Sequence, residues 1–219
     1  MAYGNKSNHG LETLYSFRLV TKQGVTPHFS VSKKDKETGK WNNDVDKCSF
    51  IEGRLDSVFH REWEYEGDPM HTVTLYLVDN EERYKVDLTL TILVRGLLNS
   101  LMNIDKNKAI HMSVYEVEGD DHKKRARIAL RQNDELVSWK YSREELPEPK
   151  EYRDEKGKLI KRDWTKSNDF ILEKLDETFD VRGYGSDDSS GSSDDAPQNA
   201  PDPDEVGVGA GSPEDEVPF

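Results

Sequence analysis

The sequence MHTVTLYLV, residues 70–78, is the clearest β-strand signal in this chain. Its apolar residues Val73, Leu75 and Leu77 alternate with polar or aromatic ones, and a period of two is typical of a strand with one buried side. After a turn at residues 79–81, residues 83–90 alternate in the same way. Two adjacent strands of this kind predict an antiparallel pair that covers a hydrophobic core.

Further β-rich runs surround this pair, and one helical run interrupts them. Between residues 93 and 104 the apolar residues take the spacing of an amphipathic helix. Gly53 lies inside the longest run, where it permits a bulge or a sharp bend. The other predicted strands are residues 14–20, 27–32, 49–65, 109–117 and 125–131, the last continuing past residues 133–134 into residues 136–141.

The order of these elements predicts a mainly β protein. Three strands, a helix and two further strands are the order of an OB-fold, a five-stranded barrel that commonly binds oligonucleotides. Residues 14–32 would add an N-terminal hairpin to it. A small barrel of the SH3 type and a β-sandwich are alternatives with similar patterns.

The chain divides into three predicted segments. Residues 1–145 are predicted to form the OB-fold domain with its N-terminal hairpin, and single-stranded DNA is its expected ligand on the grounds given below. Residues 146–182 form a charged linker or hairpin and a C-terminal helix at residues 168–179, with Ser167 as its predicted cap. Residues 183–219 are rich in Gly, Ser, Asp and Pro and predict a disordered acidic tail, because so few apolar residues cannot bury enough surface to order it.

Charge is distributed very unevenly along the chain. The net charge is −13, but residues 183–219 contain ten acids and no Lys or Arg. The remaining 34 acids are nearly balanced by 31 bases. A nearly neutral folded part can carry a basic surface, and the acidic tail can compete with nucleic acid for that surface.

Several function classes lack their sequence signals. There is no glycine-rich phosphate loop, no His-Glu-x-x-His motif and no pair of cysteines, so we expect neither enzyme activity nor a cofactor nor a metal. A lone Cys48 cannot form an internal disulfide, which fits a reducing cytoplasm. Neither a signal peptide nor a run of about 20 apolar residues is present, and we expect a soluble protein without membrane contact.

The chain ends in PEDEVPF, residues 213–219. An aromatic ring that carries the free terminal carboxylate, behind three acids, suits an apolar pocket rimmed by Lys or Arg. This ending resembles the tip of bacterial single-stranded-DNA-binding proteins, in which acids precede Ile- or Leu-Pro-Phe, and phage counterparts that end in acids and Phe. The resemblance covers the last six or so residues and the general plan of a barrel followed by an acidic tail.

The resemblance implies a role in DNA replication, recombination and repair. It assigns docking of replication proteins such as polymerase, primase or helicase to the tip residues Asp215, Glu216, Val217, Pro218 and Phe219. It also implies a bacterial or phage-infected host cytoplasm and association with the nucleoid. A homo-oligomer stays open, but the tetramer of the bacterial family is not carried over, because the hairpin and residues 142–182 depart from that pattern.

Candidate DNA contacts are bases and aromatic residues on the predicted outward sides of the strands. In residues 125–131, alternation directs Ala126, Ile128 and Leu130 inward and the arginines outward. Arginines suit phosphates, and aromatic rings stack on any base. The predicted phosphate contacts are Arg54, Arg61, Lys85, Arg125, Arg127 and Arg131. The predicted stacking residues are Trp41, Trp63 and Tyr76, with Phe59 and Trp139 as further candidates.

Single-stranded DNA binding without sequence preference is therefore the expected function. One alternative is an interaction or chaperone-like protein whose acidic tail imitates nucleic acid and whose barrel binds protein. Another is RNA binding through the same surface, since nothing in the sequence plainly reads a 2′-hydroxyl. The strand at residues 125–131 also has a simpler interpretation, as a solvated surface whose arginines are neutralised by nearby acids such as Glu116 and Glu118.

Overall fold

A computed structural model describes residues 13–22, 24–80, 82–119, 122–179 and 182–183. Most of these residues lie in strands, and two helices are inserted among them. The strands are β1 (Thr13–Val20), β2 (His28–Lys34), β3 (Trp41–Cys48), β4 (Phe50–Tyr65), β5 (Asp68–Asp79), β6 (Glu82–Thr89), β7 (Ala109–Glu118), β8 (Lys124–Gln132), β9 (Glu135–Leu136), β10 (Lys150–Arg153), β11 (Leu159–Asp163) and β12 (Arg182–Gly183). The helices are α1 (Ile92–Leu101), between β6 and β7, and α2 (Thr165–Phe179), between β11 and β12.

The strands form one large mixed sheet and one separate hairpin. The order of the large sheet is β3-β2-β1-β6-β5-β4-β7-β8-β9, and β12 pairs with β4 beside this path. The β1–β6 and β4–β12 pairings are parallel and the others are antiparallel. Strands β10 and β11 pair only with each other within the described chain. The predictions of a mainly β protein and of an N-terminal hairpin are confirmed, and the observed sheet is open with ends at β3 and β9.

Alternation along β5 and β6 builds the core as predicted. Val73, Leu75 and Leu77 of β5 are fully buried, and so are Val86 and Leu88 of β6. We call the side of the sheet that carries these residues the inner side and the opposite one the outer side. Burial of each such side chain contributes roughly 1.5–3 kcal/mol to folding, which makes this pair the centre of the fold.

Helix α1 covers the inner side at one end of the sheet. It begins after Thr91, whose hydroxyl accepts a hydrogen bond from the Val94 amide at 3.3 Å. Leu98 and Leu101 are fully buried in the core. The buried Asn99 side chain forms two hydrogen bonds with the backbone of Tyr141. Its amide nitrogen donates to the Tyr141 carbonyl at 2.8 Å, and its carbonyl oxygen accepts from the Tyr141 amide at 2.9 Å.

Helix α2 is confirmed, but its predicted start and cap are wrong. It begins at Thr165 rather than at residue 168, and Ser167 lies buried inside its first turn. The carboxylate of Asp163 instead accepts hydrogen bonds from the amide and the hydroxyl of Thr165. Ile171 and Leu175 are fully buried, so the apolar stripe of α2 packs on its own domain.

Strand β4 contains a bulge, but not at Gly53. The pairing with β5 shifts register between Leu55 and Ser57, which makes Asp56 the extra residue. Gly53 serves close packing, since a Cβ at this position would lie 3.1 Å from the Leu77 Cβ. Because of this extra residue, odd-numbered residues of β4 point inward before the bulge and even-numbered residues point inward after it.

The described residues include no helix long and apolar enough to cross a membrane. Of the predicted acidic tail, only Gly183 belongs to the described part of the chain.

Candidate nucleic-acid interface

Three predicted arginines come together on the outer side of β8. The register pairs Arg125 with Val117, Arg127 with Tyr115 and Arg131 with His111 of β7. Directly opposite residues of an antiparallel pair point to the same side, so these residues share one surface. We call this surface the arginine face, formed by Phe50, Glu52, His111, Ser113, Tyr115, Val117, Arg125, Arg127, Ala129 and Arg131.

The arginine face lies opposite the core. Leu130 is paired with Met112, and both are buried on the inner side. Ile128 also packs against the core from the inner side. The prediction that Ile128 and Leu130 point inward is therefore confirmed, and the intervening arginines point outward because side chains alternate along a strand.

Glu116 and Glu118 do not share the positions of the arginines. Glu116 is paired with Ala126 and Glu118 with Lys124, so alternation directs both acids to the other side of the β7–β8 hairpin. Glu116 lies 3.7 Å from the ammonium of Lys124. This register disfavours the interpretation in which these two acids neutralise the arginine strand.

Arg127 and Arg131 donate to backbone carbonyls. The Arg127 guanidinium lies 3.4 Å from the Ala126 oxygen, and that of Arg131 lies 3.3 Å from the Asp134 oxygen. Neither forms an ion pair with a carboxylate of the described residues. Backbone carbonyls leave the guanidinium charge uncompensated, so both groups can still bind a phosphate.

Two aromatic residues that the sequence analysis did not select lie on the arginine face. Phe50 of β4 is paired with Ser113 and is 53% exposed. Its ring stacks on the His111 ring, with 5.0 Å between the centroids and 15° between the planes. Tyr115, opposite Arg127, is 45% exposed. Alternation from buried Ile51 and Leu55 was the signal that could have identified Phe50 as outward-facing.

Glu52 is an acid within the arginine face. It is paired with His111, and its carboxylate lies 3.7 Å from His111 Nδ1. A carboxylate beside a stacked imidazole holds that ring in position when the imidazole is protonated. This acid lowers the net positive charge of the face at the β4 end.

The predicted residues of β5 and β6 belong to a separate, more closely packed cluster. Arg83 of β6 forms an ion pair with bulge residue Asp56 at 3.0 Å, and the two side chains are 17% and 16% exposed. The Arg83 guanidinium also lies 3.9 Å from the centroid of the Tyr76 ring. The Tyr76 ring also packs against the Phe59 ring in a T-shaped arrangement, with 5.5 Å between the centroids. We call Asp56, Phe59, Tyr76 and Arg83 the Tyr76 cluster.

Tyr76 and Lys85 are both less available for DNA than the sequence analysis predicts, because each already has a neighbour within the protein. Arg83 occupies one face of the half-buried Tyr76 ring, which leaves less of the ring for a base. Lys85 forms an ion pair with Asp87 at 3.0 Å, and Asp87 also accepts a hydrogen bond from Thr74 at 2.6 Å. Phosphate contact by Lys85 would therefore have to compete with a local carboxylate.

The bulge brings Arg54 and Arg61 to the same side of β4. They are seven positions apart in the chain, so a regular strand would direct them to opposite sides; the extra residue Asp56 restores a common side. Both are exposed. Arg54 pairs with Val78 of β5 and Ala109 of β7, and thus lies between the Tyr76 cluster and the arginine face. His60, which follows the bulge on the same strand, lies half-buried opposite Val73 on the inner side.

The tryptophans are spread over the fold. Trp63 is half-buried, and its indole N–H donates to the Thr72 hydroxyl at 3.0 Å. Trp41 begins β3 opposite Lys34, at the far end of the sheet from β8. Trp139 packs against α1, 3.5 Å from the position of a Cβ on Gly96. Trp41, Trp63 and Trp139 therefore do not join the arginine face.

Two further points concern the C-terminal tip and metal binding. The tip residues Asp215, Glu216, Val217, Pro218 and Phe219 lie outside the described residues. Within the part of the chain that the structure describes, no group of three or more His, Cys, Asp or Glu side chains is arranged to hold a metal ion.

Comparison of the chain with protein-family models, with curated proteins and with solved structures yields no match.

Proposed function

We propose that this protein binds single-stranded DNA without sequence preference through the arginine face. The observation that carries the proposal is the combination of Arg125, Arg127 and Arg131 on one side of β8 with exposed Phe50 and Tyr115 on the neighbouring strands. Consecutive outward residues of a strand are about 6.8 Å apart, so the arginines form a linear track. Such a track suits the backbone of an extended strand, and the rings suit its unstacked bases.

The fold part of the proposal is a partly open OB-type barrel made of β4, β5, β6, β7 and β8. Support comes from the pairings β4–β5, β5–β6, β4–β7 and β7–β8 and from α1 between β6 and β7. The outer surface of an OB-fold commonly binds oligonucleotides. In this arrangement Arg54 links the arginine face to Arg61 and Trp63 farther along β4.

The proposal assigns a second task to the acidic tail. Its ten acids compete with DNA for the arginine face, and bound DNA releases the tip for replication proteins. Because the two ligands exclude each other, each weakens the other by the same factor. The protein would thus protect single strands during replication, recombination and repair and recruit partners to them.

The test is the salt dependence of oligo-dT binding by fluorescence anisotropy. For single strands the logarithm of the binding constant falls with the logarithm of salt concentration by about 0.7 per phosphate contact. The double variant Arg127→Ala/Arg131→Ala should reduce that slope by about 1.4. A matched control is Lys36→Ala/Lys166→Ala, which removes two exposed cations from the β2–β3 loop and from α2.

Equal slopes for the two double variants would reject the arginine face as the site. Absence of dT binding even at low salt would favour the alternative, a protein-interaction scaffold. Tighter binding of rU than of dT oligomers would favour RNA binding. Removal of residues 212–219 should keep or strengthen dT binding while abolishing capture of replication proteins, and weaker dT binding would contradict the competition.

A further inference from the structure

The β10–β11 hairpin presents two chemically different sides. Its register pairs Lys150 with Asp163, Glu151 with Arg162 and Tyr152 with Lys161. Lys150, Tyr152, Lys161 and Asp163 therefore share one side, and Glu151 and Arg162 share the other. We call the first of these the tyrosine side.

The side opposite the tyrosine side is internally neutralised. Glu151 accepts hydrogen bonds from Arg153, with 3.1 Å to its Nε, and from Arg162, with 3.1 Å to its Nε. The hydrogen bonds from Arg153 and Arg162 lower the pKa of Glu151, which stays ionised. Both guanidinium groups thus already have a carboxylate partner, and this side has little capacity left for a phosphate.

The tyrosine side keeps its cations beside an open ring. Tyr152 is 42% exposed, and the Lys150 ammonium lies 4.8 Å from its ring centroid. Lys161 is exposed directly opposite Tyr152. Asp163 is opposite Lys150; its Oδ1 accepts from both the amide and the hydroxyl of Thr165 at the start of α2, and its carboxylate also attracts Lys161 and Lys150.

The hairpin lies within residues 141–164, and both ends of this segment contact α1. Trp164 follows β11 directly, and the Arg95 guanidinium lies 4.0 Å from its ring centroid. Arg95 is 7% exposed, and burial lowers its pKa to about 10, so it is still cationic at neutral pH. At the other end, Asn99 holds the backbone of Tyr141. A ring presented by an anchored hairpin loses less conformational entropy on binding than one on a free loop.

We propose that the tyrosine side of the β10–β11 hairpin is a second contact for the same single strand. Tyr152 stacks on one base, while Lys150 and Lys161 bind the phosphates next to it. An exposed ring between two ammonium groups matches a base between two phosphates, which is the charge complementarity that selects this occupant. The inference rests on the proposed function and extends the bound length of DNA beyond the arginine face.

The experiment compares oligo-dT ladders from about 6 to about 40 nucleotides, since one OB domain occupies roughly 4–16 nucleotides. Tyr152→Ala should leave binding of the shortest oligomers unchanged and weaken binding of the longest about tenfold, in line with the loss of one base stack. Tyr152→Phe should keep wild-type affinity because it keeps the ring. The matched control is Ile160→Ala, a change at a 65% exposed apolar residue of the same hairpin.

The outcomes separate this inference from the proposed function. If the wild-type protein binds dT and Tyr152→Ala binds every length equally well, the second contact is wrong while the arginine face stands. A loss of equal size on the shortest oligomers, or in Ile160→Ala, also overturns it. Failure of the wild-type protein to bind any length would instead reject the proposed function itself.

Discussion

The Phe50 ring of β4 lies parallel to the His111 ring of β7, with 5.0 Å between the centroids and 15° between the planes. Since 53% of Phe50 is exposed, His111 fixes the orientation of the ring while much of its surface stays accessible. Stacking between neighbouring strands therefore prepares an aromatic platform beside the arginines of β8. Preparation of this kind lowers the entropy lost when a base stacks on the ring.

Phe50→Ala should weaken dT binding by about 1–3 kcal/mol, because one aromatic platform for a base is lost. Anisotropy titration at constant salt measures the change. Val45→Ala is the matched control, since Val45 of β3 is 52% exposed and lies at the other end of the sheet. Equal affinities for the two variants would show that Phe50 does not contact DNA.

Gly53→Ala and Gly96→Ala should change stability in opposite directions. A Cβ on Gly53 would lie 3.1 Å from the Leu77 Cβ and 3.4 Å from the Val78 carbonyl oxygen, so the added methyl overpacks the core. We expect a loss of about 1–3 kcal/mol in the free energy of unfolding. A Cβ on Gly96 would lie 3.5 Å from Trp139, an ordinary contact. Alanine inside a helix should there add about 0.5–1 kcal/mol.

Urea denaturation of both glycine variants tests this pair of predictions. A neutral result at Gly53 would mean that β4 and β5 can separate without cost. A destabilised Gly96→Ala would mean that Trp139 cannot adjust.

Stability should fall as the pH drops below about 6.5, the ordinary pKa of histidine. Burial, and then the nearby His71, lower the pKa of His60, while Asp176 of α2 and Glu62 raise it. His60 Nε2 lies 3.1 Å from His71 Nδ1. The unfolded chain therefore binds a proton at this residue at a higher pH than the folded chain does, and falling pH favours unfolding.

The melting temperature of His60→Gln should accordingly depend less on pH than that of the wild type between about pH 7 and about pH 5. His122→Gln is the control, because the His122 side chain is 89% exposed. Burial raises the pKa of Asp176, so the series is repeated in an Asp176→Asn background. Identical pH profiles for the wild type and His60→Gln would contradict the linkage.

Alternation in the sequence was sufficient for much of the candidate site. It predicted the buried residues of β5 and β6 and the outward direction of Arg125, Arg127 and Arg131. It could not predict which outward cations already have partners. Asp56 and Arg83 form an ion pair although they are 27 positions apart in the chain, and no local sequence pattern reveals such a pairing.

The mainly β character, the helix between β6 and β7 and the side of β8 that carries the arginines were all predictable from the residue pattern. These properties depend on a period of two or of 3.6 residues, which is local. Three features became visible only in the folded chain: Phe50 and Tyr115 lie among those arginines, Arg83 covers Tyr76, and His60 turns inward. The reason is that strand register, and the single extra residue at Asp56, are set by packing between strands that are distant in the chain.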